Sequence, residues 1–136
     1  MKLYVKCLTI DANHRLVSCN GGVQVWGDYK VHPADGEFAL CQAGALHVCR
    51  MRDVPAWIST HQVIVQVESD DILTGQNKVG VRDARIIRTA PDVDGLDLLV
   101  RFAEFCAEKG ADYTDAAATA WIVQQYPAGF FDGVEA

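Results

Sequence analysis

The 136-residue sequence holds no run approaching 18 apolar residues and opens on no basic, apolar, small-residue leader, so neither a membrane span nor a secretory signal is expected, and a cytoplasmic location follows. Phosphate-cradling loops are missing. "NGG" at 20–22 runs into a strand pattern rather than a helix, and neither GxGxxG nor GxxxxGK[ST] occurs. HExxH and GxSxG are absent too, so no zinc-protease or serine-hydrolase signature is present. Basic residues are scarce after residue 90: Arg101 and Lys109 stand against nine Asp and Glu, a local charge of about −7. Phosphate contacts need Lys and Arg, so direct nucleic-acid binding is not expected. A basic protein surface, including one that normally holds nucleic acid, is the natural partner of such a stretch.

What is present is ordinary for a globular chain. Half the residues are apolar and 22% are charged, enough for a conventional core in a single domain spanning 1–136, with a β-rich part over 1–90 and an acidic helical part over 91–136. The first 90 residues are nearly neutral, with ten Lys and Arg against nine Asp and Glu. Cysteines stand at 7, 19, 41, 49 and 106, an odd number without a framework spacing, and are expected as thiols.

Alternation of apolar and polar residues predicts strands over 2–10, 15–19 and 23–26, the first two forming a hairpin around "DANH". "FALCQAGALHVCRM" at 38–51 reads as strand, turn at Gly44, and strand. Asp53 is placed to cap a short helix over 53–59, with Pro55 in its first turn. "QVIVQVE" gives a clear strand, "SDDILTGQNK" a polar connection, and "VGVRDARIIR" a closing strand over 79–88. From residue 91 the period becomes helical. One helix is capped by Asp92 or Asp94, carries Leu96, Leu99, Val100, Ala103, Cys106 and Ala107 on its apolar face, and stops at Gly110. A second starts near Asp112 or Thr114, turns Ala117, Ala120, Trp121 and Gln124 to one side, and ends at Pro127. Phe130 and Phe131 follow, either docked or exposed. The fold class is α+β: a small, twisted, mostly antiparallel sheet with a short helix and two C-terminal helices.

Cys41, His47 and Cys49 carry the densest chemistry. They are the types zinc prefers, with Cys7, Cys19 or His32 available to complete a set, yet Cys-x5-His-x-Cys is not a knuckle spacing and no second cluster follows. No metal or other cofactor is therefore expected. A thiol nucleophile with His47 as base is a second reading, although no orienting carboxylate stands near in sequence. Packing of small thiols in a sheet is the third. Arg82, Arg85 and Arg88 with Lys78 form the basic cluster, suited to a phosphate or to internal pairing. "ESDD" at 68–71 reads first as a solvated loop, with a cation site or an acid and base pair as the alternatives.

"LCQAGALHVC" at 40–49, after a Gly-Asp-Tyr loop and before "VIVQVESDDILTGQNKVGVRDARIIR", resembles a small domain common in phage and prophage genomes. The matching positions are Leu40, Cys41, Gly44, His47, Cys49, Val67, Glu68, Lys78 and Arg88, with one residue inserted between Gly44 and His47. The strand, short helix and strand order is also similar to half of the mono-ADP-ribosyltransferase fold, and Val67 to Leu73 resembles a turn in a phage anti-CRISPR family of that kind. The Glu-x-Glu of the arginine-modifying class is absent from 60–90.

The resemblance implies a phage accessory protein that binds and inhibits a host antiviral complex, such as a CRISPR effector, by occlusion rather than as an enzyme. Asp97, Glu104, Glu108, Asp112 and Asp115 are the expected partner-binding residues. The alternatives are an ADP-ribosyltransferase-like enzyme using NAD and a small metal-binding structural protein.

Overall fold

A computed structural model describes residues 1–19 and 23–136; the "NGG" turn lies outside the described residues, as do the side chains of Cys19 and Val23. The architecture is the expected α+β one. In chain order it runs β1 (Lys2–Ile10), β2 (Leu16–Cys19), β3 (Val23–Trp26), β4 (Leu46–Val48), a 3-10 turn at Met51–Asp53 leading into α1 (Val54–Trp57), β5 (His61–Val67), β6 (Ile72–Thr74), β7 (Val79–Val81), β8 (Arg85–Arg88), α2 (Gly95–Lys109) and α3 (Asp115–Gln125). A five-stranded sheet has the order β3-β2-β1-β5-β8 and a three-stranded one the order β4-β7-β6, with every neighbour antiparallel.

β1 pairs with the whole of β5, from Lys2 opposite Val67 to Leu8 opposite His61. Both are covered on both faces, which explains a stretch richer in apolar residues than a half-exposed strand needs. On one face Tyr4, Leu8, Val63 and Val65 pack with Trp26, Leu46, Val48 and Val81 of the neighbouring strands. On the other, Val5 and Ile64 meet Leu98, Ile122, Tyr126 and Phe130 of the helical part. Gln62 is buried here although its polarity predicts a solvent face; its Oε1 accepts from Ser59 N at 2.7 Å and its Nε2 donates to Tyr126 Oη at 3.0 Å. Gly95, the first residue of α2, lies so close that a β-carbon on it would stand 2.0 Å from Gln62 Nε2 and 2.5 Å from Ser59 O.

The helices start and stop where their signals predict. Asp94 accepts from Leu96 N and Asp97 N at 3.0 and 3.2 Å, Gly110 closes α2 in the left-handed region, and Thr114 caps α3 by accepting from Ala117 N at 3.1 Å. Their inward faces differ from expectation. α2 buries Leu98, Phe102 and Cys106 while Leu96 and Val100 stay 45% and 57% exposed. Apolar residues run almost all round this helix, and the bulk of Phe102 against Trp121, ring centroids 5.6 Å apart, sets which side turns in. α3 likewise buries Ala118 and Ile122 rather than Ala120 and Gln124. No described helix is long and apolar enough to cross a membrane.

Four local expectations are corrected. The strand predicted over 79–88 is two strands in different sheets, because the chain leaves β7 at Arg82 and Ala84 exchanges hydrogen bonds with Val31 instead. The polar connection before it contains β6, and the first half of 38–51 is turns, with β4 only three residues long. Asp53 makes no cap; its carboxylate accepts from Arg50 Nε at 3.1 Å, and the helix behind it is a single turn. The tail, which the sequence left open, docks: Phe130 is buried, Glu135 N donates to Leu3 O, and Arg88 donates to the carbonyl oxygens of Phe130 and Asp132 at 2.7 and 2.8 Å.

Candidate functional site

The outer edge of β1 changes partner along its length. Thr9 and Ile10 pair with β2, Val5 exchanges hydrogen bonds with Cys49 just past β4, and Leu3 bridges Val134 of the tail. Between Val5 and Thr9 no strand lies alongside this edge among the described residues, and the sheet forks. A cavity of about 310 Å³ opens in the fork, lined by Lys6 and Cys7 of β1, Ser18 of β2, His47 and Cys49 at β4, and Cys41, Trp57 and Lys78 beyond them.

A closed loop brings Cys41 there. Gly36 and Glu37 lie against Gly44, where a β-carbon would stand 2.2 Å from Glu37 O, so only glycine lets the two ends of the loop meet. Leu40 lies over the bare Cα of Gly80 in β7, and Phe38 sits under the Arg82 guanidinium at 4.1 Å. Cys41 itself adopts φ 64°, uncommon for a residue with a β-carbon, and donates its N–H to His47 Nε2 at 2.9 Å. Its sulfur accepts from Lys78 Nζ at 2.5 Å.

His47 sits on the opposite face of β4 from Leu46 and Val48, which point into the core. Burial first, then the Lys6 and Lys78 ammoniums, hold its imidazole below the usual histidine range. Because Nε2 accepts, the ring proton belongs on Nδ1, and Nδ1 is shielded from solvent with no partner among the described residues. Lys6 is buried, donates to His47 O at 2.6 Å and lies 5.6 Å from the Trp26 ring centroid. A hydrogen bond with Cys7 and burial push the Cys49 thiol well up.

Cys41, His47 and Cys49 thus line one cavity, with Cys7 as a fourth neighbour, yet among the described residues no group of three or more His, Cys, Asp or Glu side chains is arranged to hold a metal. His32 is exposed and lines no part of the cavity. The basic cluster separates: Lys78 joins Cys41, Arg82 pairs with Asp71 at 2.9 Å, Arg88 holds the tail, and Arg85 is exposed. Within "ESDD", Glu68 takes Lys30 and Asp71 takes Arg82, so two of its carboxylates have cationic partners in the chain.

The carboxylates expected to face a partner lie on the far side of the molecule's helical part. Asp97, Glu104 and Glu108 fall within about 20° of one line along α2, opposite its buried face. Asp112 stands in the loop after it and Asp115 in the first turn of α3; all five are exposed. Asp97 pairs with Arg101 at 3.4 Å, and the other four make no ion pair among the described residues. Exposed Leu96, Val100, Phe105 and Tyr113 lie among them.

Sequence reasoning found the Cys and His of the fork but not Lys78 or Trp57 as its other wall. The spacing of 37 residues between Cys41 and Lys78 carries no local signal, and Trp57 reads as an ordinary helix residue. No protein-family model, no curated protein and no solved structure matches the chain.

Proposed function

We propose that the protein is a phage or prophage accessory protein that binds a host antiviral complex of the CRISPR effector type and inhibits it by occlusion, using the outward face of α2 and the start of α3. The observation that carries the binding part of this reading is the set of exposed carboxylates Glu104, Glu108, Asp112 and Asp115, without an ion pair among the described residues, interleaved with exposed Val100, Phe105 and Tyr113. Exposed apolar side chains within a field of one sign suit a protein interface: the aromatics supply buried area, and the charge selects a basic partner and speeds encounter. A surface that holds nucleic acid has the complementary charge. The phage and antiviral part rests on the resemblance of residues 40–88.

Co-elution of the purified protein with purified CRISPR effector complexes tests this. The expected result is a stable complex that loses DNA binding in proportion to the protein added. No association with any effector, together with no protection of phage carrying the protein, contradicts it.

A second reading draws on the forked sheet and its cavity, which suit a bound small molecule: an ADP-ribosyltransferase-like enzyme acting on the same target. Mass spectrometry of the target after incubation with NAD distinguishes them, since only the enzyme adds an ADP-ribose unit.

A further inference from the structure

We infer that the forked cavity beside β1 binds a small organic anion, a carboxylate carried on an apolar body, with Lys78 meeting its charge. Three polar or charged side chains are buried among the described residues: Lys6, Ser18 and Gln62. Gln62 is satisfied by Ser59 and Tyr126 where the sheet meets the helices. Lys6 and Ser18, each 6% exposed, both line this cavity. Tyr4 and Leu8, on the same face of β1 as Lys6, are packed into the core, so the ammonium is the exception on that face and stands where the sheet forks. A buried charge is costly unless it is held; Lys6 donates to His47 O at 2.6 Å and lies 5.6 Å from the Trp26 ring centroid.

The charge on the wall is of one sign. Lys6 and Lys78 line the cavity, and among the described residues no Asp or Glu does. Both ammoniums act on the His47 imidazole, so their fields overlap inside the cavity, and a cleft of one sign with low-dielectric walls concentrates ions of the other. Lys78 makes no ion pair among the described residues. Its place is set by the Trp57 ring, 5.9 Å away at the centroid, whose indole donates to Asn77 O at 2.6 Å. His47 adds an N–H: Nε2 accepts from Cys41 N, so the proton belongs on Nδ1, which has no partner among the described residues. The rest of the wall selects among anions. Val5, Val48 and Trp57 give it apolar surface that a free phosphate would leave bare, and a volume of about 310 Å³, at the lower end for ligand cavities, has room for about two rings and one anionic head. No residue of α2 or α3 lines it, so this ligand is independent of any partner on that face.

The test is an NMR titration of the isotope-labelled full chain at neutral pH with sodium naphthoate and with naphthylmethanol, its neutral counterpart. Naphthoate should give saturable, single-site shifts at the amides of Cys41, His47 and Lys78, and naphthylmethanol should bind about tenfold more weakly. Lys78→Met should weaken naphthoate about tenfold, while Lys78→Arg, which keeps the charge, stays within about threefold of the unaltered protein. Inorganic phosphate at equal concentration should leave naphthoate in place. Equal affinity for naphthoate and naphthylmethanol overturns the inference, as do shifts confined to α2 and α3, displacement by equimolar phosphate, or a folded Lys78→Met variant that binds naphthoate unchanged. Should Lys78→Met fail to fold, the difference between naphthoate and naphthylmethanol on the unaltered protein decides.

Discussion

In residues 1–90 cations and carboxylates pair with one another across the chain: Lys30 with Glu68, Arg82 with Asp71, Arg50 with Asp53 and Arg15 with Asp11. Beyond residue 91 cations are scarce and carboxylates collect on one side. Arg101 pairs with Asp97, but Glu104, Glu108, Asp112 and Asp115 face solvent with no ion pair among the described residues, and Leu96, Val100 and Phe105 are exposed beside them. Both parts contribute to one core across β1 and β5, so the helical part is not loosely attached. The difference lies on its outer side. A surface that leaves charge of one sign and large apolar groups to water is the one assigned to the proposed partner, since exposed ion pairs are worth little to stability either way.

That contrast can be broken most severely where the two parts join. Gly95→Ala places a methyl group into Gln62 Nε2 and a backbone carbonyl, neither of which has room to move, and should cost about 3 kcal/mol in chemical denaturation. Removing the tie between β8 and the tail is the next largest effect. Arg88→Met leaves the Phe130 and Asp132 carbonyls without their donor, an expected loss of about 2 kcal/mol, measured the same way. Thr114→Ala removes the cap of α3 and should cost about 1 kcal/mol. The corresponding change in the sheet part, Asp53→Ala, tests the other side of the comparison: Asp53 caps nothing, and its loss should act through its ion pairs with Arg50 and Arg52, costing less than the Thr114 change in the same denaturation measurement.

The fork should add a pH dependence. His47 has its imidazole held below the usual range, so the unfolded chain binds its proton more readily than the folded one. The stability this confers is present above the ordinary histidine range, near pH 6.5, and is lost as pH falls from there towards the depressed folded value. Protonation also removes the Nε2 acceptor for Cys41 N–H. Melting temperatures between pH 7.5 and pH 5, taken on the unaltered protein and on His47→Gln, should show a fall on acidification that the variant largely lacks.

The helical boundaries were legible because each rests on a local device, Asp94, Gly110 or Thr114, whose partners lie within four residues. The strands were legible as segments but not as sheets. "VGVRDARIIR" keeps an unbroken alternation, and only the distant pairing of Ala84 with Val31 reveals that it turns. Alternation failed for β1 and β5 for another reason: covered on both faces, they hold Lys6 and Gln62 in the interior through partners 41 and 64 residues away. The apolar face of α2 was misread because apolar residues nearly encircle it, and the choice among them depends on Trp121 of α3. The same limit applied to the fork, where Cys41, His47 and Cys49 were visible but Lys78 and Trp57 reach it only through the fold.

The most direct measurement is affinity for a purified CRISPR effector complex as a function of salt, comparing the unaltered protein with a variant in which Asp97, Glu104, Glu108, Asp112 and Asp115 are all replaced by Lys. Each exposed substitution should change folding stability by no more than about 0.5 kcal/mol. The account predicts a complex that weakens as salt rises, and a variant that folds but binds at least about a hundredfold less tightly with that salt dependence gone. A folded variant with unchanged affinity and an unchanged salt response would contradict the claim that this face meets the partner.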